Sequence, residues 1–117
     1  MNELTQALFA LSPLVRYVAL LRGRDLELQE RPGLAGASAS ETDRYEELLV
    51  NPAVLTLLRR RGEIDCGGLD HVWIRYGNFW TGLFPTAEGH VNVGLEPDAV
   101  PTEHVAAIRS VLTRAGY

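Results

Sequence analysis

The sequence predicts an α+β domain in which five strands form a mainly antiparallel sheet with helices on both faces. Strand-length apolar stretches come in pairs joined by short turns, which favours antiparallel neighbours. Helical stretches stand before, between and after these pairs, in the order α-β-β-α-β-β-β-α. Finally, "HVWIRYGNFWTGLF", His71 to Phe84, reads as a hairpin turning at Gly77-Asn78. Pairing Tyr76 with Phe79 puts Val72, Ile74, Thr81 and Leu83 on one face and Trp73, Arg75, Trp80, Gly82 and Phe84 on the other. Both faces carry large apolar side chains, so both need cover.

The elements follow in order. Leu4, Ala7, Leu8 and Leu11 have the spacing of a helix face, with Asn2 as cap and Pro13 as stop. "VRYVALL" and "LELQ" flank the turn "RGRD" and predict a hairpin whose second strand is a half-exposed edge. Turn formers and small residues from Arg31 to Ser40 predict a loop. Ser40 and Asp43 then suggest a capping box, with Tyr45, Leu48 and Leu49 on one helical face. Asn51-Pro52 interrupts, because proline in a helix interior costs about 3 kcal/mol. The reading is two successive helices or one kinked helix, with Asn51 as the second cap and Ala53, Val54, Leu57 and Leu58 facing inward. Arg59, Arg60 and Arg61 suit the negative end of its dipole, before a stop at Gly62. After the hairpin, Val91, Val93 and Leu95 alternate with Asn92 and Gly94 in a fifth strand. Pro101 opens a last helix with Val105, Ile108, Leu112 and Ala115 on one stripe.

The 117 residues suit a single domain, 1–117, with one core. The composition is 46% hydrophobic and 22% charged, which is that of an ordinary globular protein and not of a disordered chain. No apolar run has the roughly 20 residues needed to span a bilayer, and the N-terminus lacks the marks of a signal peptide, so membrane insertion is not expected and the cytoplasm is. The net charge of -4 and the scattered positive residues argue against nucleic acid as a partner. All 11 positive residues are arginine. Without lysine there is no Walker-type phosphate loop and no Schiff-base chemistry. The wealth of Ala, Gly and Arg points to a GC-rich bacterial genome. Cys66 stands alone, which excludes an intramolecular disulfide and a multi-thiolate zinc site.

No catalytic constellation stands out, and neither a metal nor a cofactor is expected. His71, His90 and His104 with Cys66 match no zinc spacing and read as surface or edge residues. Cys66 lies beside Asp65, a setting that disfavours a reactive thiolate. Glu41, Asp43, Glu46 and Glu47 read as the solvated start of a helix rather than an acid-base pair. Trp73 and Trp80 read as core or interface rather than a ligand pocket.

The order of elements, with "VRYVALL…RGRD", "YEELLVNPAVLTLL" and "VWIRYGNFW…GHVNVGLEP" before a C-terminal helix, resembles the roadblock family of dynein-light-chain-type domains. The likeness covers nearly the whole chain and rests on hydrophobic pattern, since the family has no invariant active-site residues. It departs at Asn51-Pro52, where the family's middle helix usually continues, and at the small-residue loop Arg31 to Ser40. The resemblance implies a profilin-like or longin-like sandwich, with the first and last helices on one sheet face and the middle helix on the other. It implies a homodimer formed by the middle helix and third strand, here Leu49, Val54, Leu58, Trp73 and Arg75, the strand running from Asp70 to Tyr76. On this reading the middle helix covers the Trp73 face and a twin subunit covers the open strand edge.

Two functions follow as expectations. The first is a non-enzymatic homodimeric module that binds and regulates a small Ras-like GTPase, as many bacterial members of the resembled family do. Arg59, Arg60 and Arg61 would then assist docking, either as an arginine finger or as a solvated cluster. The alternative is a small-molecule sensor with a ligand between sheet and helix, for which Tyr17, His90 and Asn92 could supply the polar groups.

Overall fold

The computed structural model describes residues 2–117, and its elements come in the predicted order. They are α1 (Glu3–Ala10), β1 (Val15–Arg22), β2 (Asp25–Glu30), α2 (Ser40–Tyr45), a π-helical turn (Glu46–Val50), α3 (Asn51–Asp65), β3 (Val72–Arg75), β4 (Trp80–Pro85), β5 (Gly89–Leu95), a 3-10 turn (Pro101–Glu103) and α4 (Val105–Arg114). The five strands form one antiparallel sheet in the order β2-β1-β5-β4-β3. Both hairpins therefore end in an edge strand. No helix among the described residues is long and apolar enough to cross a membrane.

The expected caps and registers hold at both the first helix and the second hairpin. Asn2 Oδ1 accepts from the Thr5 amide at 2.8 Å, satisfying a donor the helix itself cannot. Tyr76 N donates to Phe79 O at 2.9 Å, and Trp73 faces Gly82 across β3 and β4. That glycine is required by packing, since a Cβ there would lie 2.3 Å from the Trp73 ring.

One sheet face holds the apolar core. Val18 and Leu20 of β1, Phe84 of β4, and Val91, Val93 and Leu95 of β5 are buried with Leu4 and Leu8 of α1 and Ile108, Val111 and Leu112 of α4. Val111 fills the place expected for Ala115, which is exposed beyond the helix end. Trp73 and Trp80 pack against this same core. The expectation that the middle helix covers the Trp73 face is thus wrong: residues two apart share a strand face, so Trp73 goes with Phe84 and the α1/α4 side. The strand itself is shorter than Asp70 to Tyr76.

The opposite face lies under the middle helix, which departs from expectation in four ways. Of the two readings at Asn51-Pro52 the single helix holds, for Val50 and Asn51 both keep helical angles. Pro52 cannot donate to the carbonyl four residues back, and the π turn absorbs this by shifting the bonding to five residues, as where Asn51 N reaches Glu46 O. Asn51 is therefore an interior residue and not a cap. No capping box forms either, because Ala39 takes the cap position and Ser40 is already helical. The arginines do not close the helix, which runs on to Asp65, while Gly62 is buried inside it against Gly68 and Leu69.

The fourth departure is the inner face. Glu47, Asn51, Leu55 and Gly62, spaced by four, four and seven residues, share one helical face and are buried. Of the residues expected inward, Ala53, Leu57 and Leu58 are exposed and Val54 is half-buried, and Tyr45 and Leu49 are exposed as well.

Candidate functional site

The residues that place polar chemistry inside the molecule come from β1, β5 and the π turn. Along β5 the apolar side chains point to the α1/α4 core, so His90 and Asn92 point to the middle helix. A β-bulge between Val15 and Tyr17 re-aims β1, so that Arg16 and Tyr17 both border the same space. Gly94 lies across from Tyr17, and a Cβ on it would stand 2.9 Å from the Tyr17 Cβ.

These side chains converge on Glu47, which is fully buried. Its Oε2 accepts from the Tyr17 hydroxyl at 2.6 Å and from Asn92 Nδ2 at 2.9 Å. Its Oε1 accepts from Asn51 Nδ2 at 2.8 Å, and His90 Nε2 faces the same oxygen at 2.8 Å. With the imidazole proton on Nε2, every group around the carboxyl donates to it, which is what a buried charge requires. Burial, reinforced by the Glu47 charge and its hydrogen bond, pushes the Tyr17 phenol far up, so that it stays protonated.

Beside this cluster a cleft of about 260 Å³ opens between the sheet and the start of the middle helix. Tyr17, Asn92 and Thr81 form its floor, Asp43 and Glu46 its helical wall, and Phe79 and Tyr76 its side. Burial raises the Asp43 and Glu46 carboxyls above the usual range, and repulsion from neighbouring carboxylates adds to it. The Ser38 side chain on Asp43 and the Tyr76 hydroxyl on Glu46, at 3.1 Å, partly oppose the shift. Arg16 also borders the cleft, but its guanidinium is only 3% exposed and is committed to Asn78 O, Ala35 O and Glu96, with Phe79 stacked beneath it. Asn92 Oδ1 is buried with no hydrogen-bond partner.

Two sequence readings are corrected here. His90 is neither at the surface nor at an edge but buried, and Glu47 is not solvated. His90 is buried because β5 is the central strand of the sheet, and Glu47 because its helical face lies over that strand. A signal for the cluster was present in the spacing Glu47, Asn51, Leu55, four residues apart each time, and in two polar residues, His90 and Asn92, on one strand face.

The other candidates lie elsewhere. His71 stacks on Phe84 and pairs with Asp70, whose carboxyl its hydrogen bond holds below the usual range, while His104 precedes α4. Cys66 is exposed, with Sγ 3.4 Å from Asp65 Oδ1. Leu49, Val54 and Leu58 lie on the middle helix, two of them exposed, whereas Trp73 and Arg75 belong to the opposite face of the edge strand β3. Of the three arginines, Arg61 pairs with Asp65 at 2.6 Å, Arg60 is exposed, and Arg59 borders a shallow recess with Arg24. The chain matches no protein-family model and no curated protein.

Proposed function

We propose that the protein is a non-enzymatic interaction module, a cytoplasmic homodimer of the profilin-like, longin-like roadblock kind, that docks and regulates a small Ras-like GTPase. The observation that carries this reading is the inverted polarity of the middle helix. A helix lying on a sheet ordinarily buries its apolar stripe and shows its polar one to water. Here Glu47 and Asn51 are inside, while Tyr45, Leu49, Leu57 and Ile64 stand outside, Leu57 at 69% and Ile64 at 76% exposure. Such a stripe is stabilised by cover from another chain. The unpaired edge of β3 is a second surface that self-association would satisfy. Arg60, exposed on the same helix, supports docking of an acidic partner, and the resemblance to roadblock domains supports a GTPase as that partner.

Light scattering across a dilution series tests the dimer. The expected result is twice the chain mass for the natural protein and a folded monomer, with the natural circular-dichroism spectrum, for Leu49→Glu with Leu57→Glu, since both side chains are exposed in the single chain. A natural protein that is monomeric throughout overturns the reading. For the GTPase, an altered rate of fluorescent-nucleotide release or hydrolysis on addition of the dimer supports regulation, and unchanged rates without co-migration refute it.

A second reading, a small-molecule sensor, is favoured by one observation. Tyr17, His90 and Asn92 converge under the middle helix beside an open cleft rather than scattering over the surface.

A further inference from the structure

The chemistry of the cleft narrows what such a sensor would hold. Its border carries four carboxyls, Glu30, Asp43, Glu46 and Glu47, against one cation, Arg16. Neither Arg16 nor Glu47 is available to a ligand, the first being held by two carbonyls and Glu96, the second by its own ring of donors. Asp43 and Glu46 differ, because among the described residues neither takes part in a salt bridge. Among the described residues, the side-chain hydrogen bonds to them come from Ser38 and from the Tyr76 hydroxyl. Independently, Asn92 is 2% exposed, borders the cleft, and leaves its Oδ1 acceptor without a partner. Its Nδ2 is fixed on Glu47, so the orphan atom is an oxygen and asks for a donor. The remaining wall is aromatic, from Tyr17, Tyr76 and Phe79.

We infer that the cleft binds a small organic cation, an ammonium or amidinium on an apolar body, whose N–H groups are taken by Asp43, Glu46 and Asn92 Oδ1 while the body lies on the aromatic wall. An anion meets four carboxyls and an orphan acceptor there, and the one cation, Arg16, is already committed. A neutral apolar molecule leaves that acceptor unpaired. At about 260 Å³ the cleft is smaller than most drug-sized sites, which suits a single ring or a short chain. The raised Asp43 and Glu46 carboxyls agree with this, since a bound cation offsets the cost of burying their charge and the repulsion from neighbouring carboxylates. The inference rests on the sensor reading and is independent of the dimer.

The test is a titration of the ¹⁵N-labelled protein with three probes of similar size, 2-phenylethylammonium, 3-phenylpropionate and 3-phenylpropanol. The expected result is saturable shifts of the Asp43, Glu46, Phe79 and Asn92 amides with the ammonium alone, weakened at least about tenfold in Asp43→Asn/Glu46→Gln. That variant keeps the shape of both side chains, and its melting temperature without probe verifies that it folds. If the alcohol or the carboxylate binds the cleft as tightly as the ammonium, the cation assignment falls and the sensor reading stands. If none of the three moves cleft amides, both fall.

Discussion

Glu47 organises the interior on the helix side. Tyr17, Asn51, His90 and Asn92 all turn toward it, so its removal leaves several buried polar groups without a partner instead of one. Glu47→Ala should therefore lower unfolding stability by about 3–5 kcal/mol, since several buried donors lose their acceptor at about 1–3 kcal/mol each. Glu47→Gln keeps one acceptor but turns an NH₂ toward converging donors, and should cost about 1–3 kcal/mol. Denaturant unfolding followed by fluorescence measures both, and a loss below that of an ordinary surface substitution for Glu47→Ala would show that the cluster is not a structural centre. The carboxylate's identity is plain in the sequence, yet its burial is not. Acidic residues near a helix start are usually solvated.

At the scale of elements, the hairpin β3–β4 and the middle helix behave oppositely. The hairpin's register follows from the Gly77-Asn78 turn and strict alternation, both local properties. Its packing can be tested at Gly82, where an added Cβ meets the Trp73 ring. Gly82→Ala should destabilise by about 1–3 kcal/mol, the usual cost of overpacking, and Trp73 fluorescence should shift as the ring is pushed outward. A variant with natural stability and spectrum would mean that the ring does not lie over β4. In the middle helix the same kind of pattern reading went astray. The spacing of Glu47, Asn51, Leu55 and Gly62 is that of one helical face, but hydrophobicity selects the leucine-bearing positions as the inner ones and polar residues as the outer ones.

For the whole molecule, the side of the sheet that bears the middle helix sets a pH dependence. Burial raises Asp43 and Glu46 above their unfolded values, so the folded state holds these protons more tightly than the unfolded chain. Their contribution to stability is fully present below the unfolded carboxyl values and is lost as pH rises through the folded ones. Asp43→Asn/Glu46→Gln should thus melt higher than the natural protein at about pH 7, with the gap closing toward about pH 4, where the natural carboxyls are protonated as well. Thermal melts at both pH values measure this, and a gap that widens in acid would contradict it. The two faces of the sheet thereby divide the work. One is an apolar core under α1 and α4, and the other a polar cluster with a cleft under the middle helix.

The α+β class, the order of elements, the five antiparallel strands, the register of the second hairpin and the half-exposed edge strand β2 are legible in the sequence alone. These rest on local periodicity and turn chemistry, which neighbours in the chain decide. The alternation of Val91, Val93 and Leu95 likewise marked the core face before any fold was known. Only the tertiary structure decided which helices lie on which face, that the middle helix turns Glu47 and Asn51 inward and its leucines outward, and that Tyr17, His90 and Asn92 meet there. The physical reason is that burial of a polar side chain depends on partners distant in sequence. A carboxylate is placed inside only where donors from two strands and its own helix satisfy it together, and no single segment contains that information.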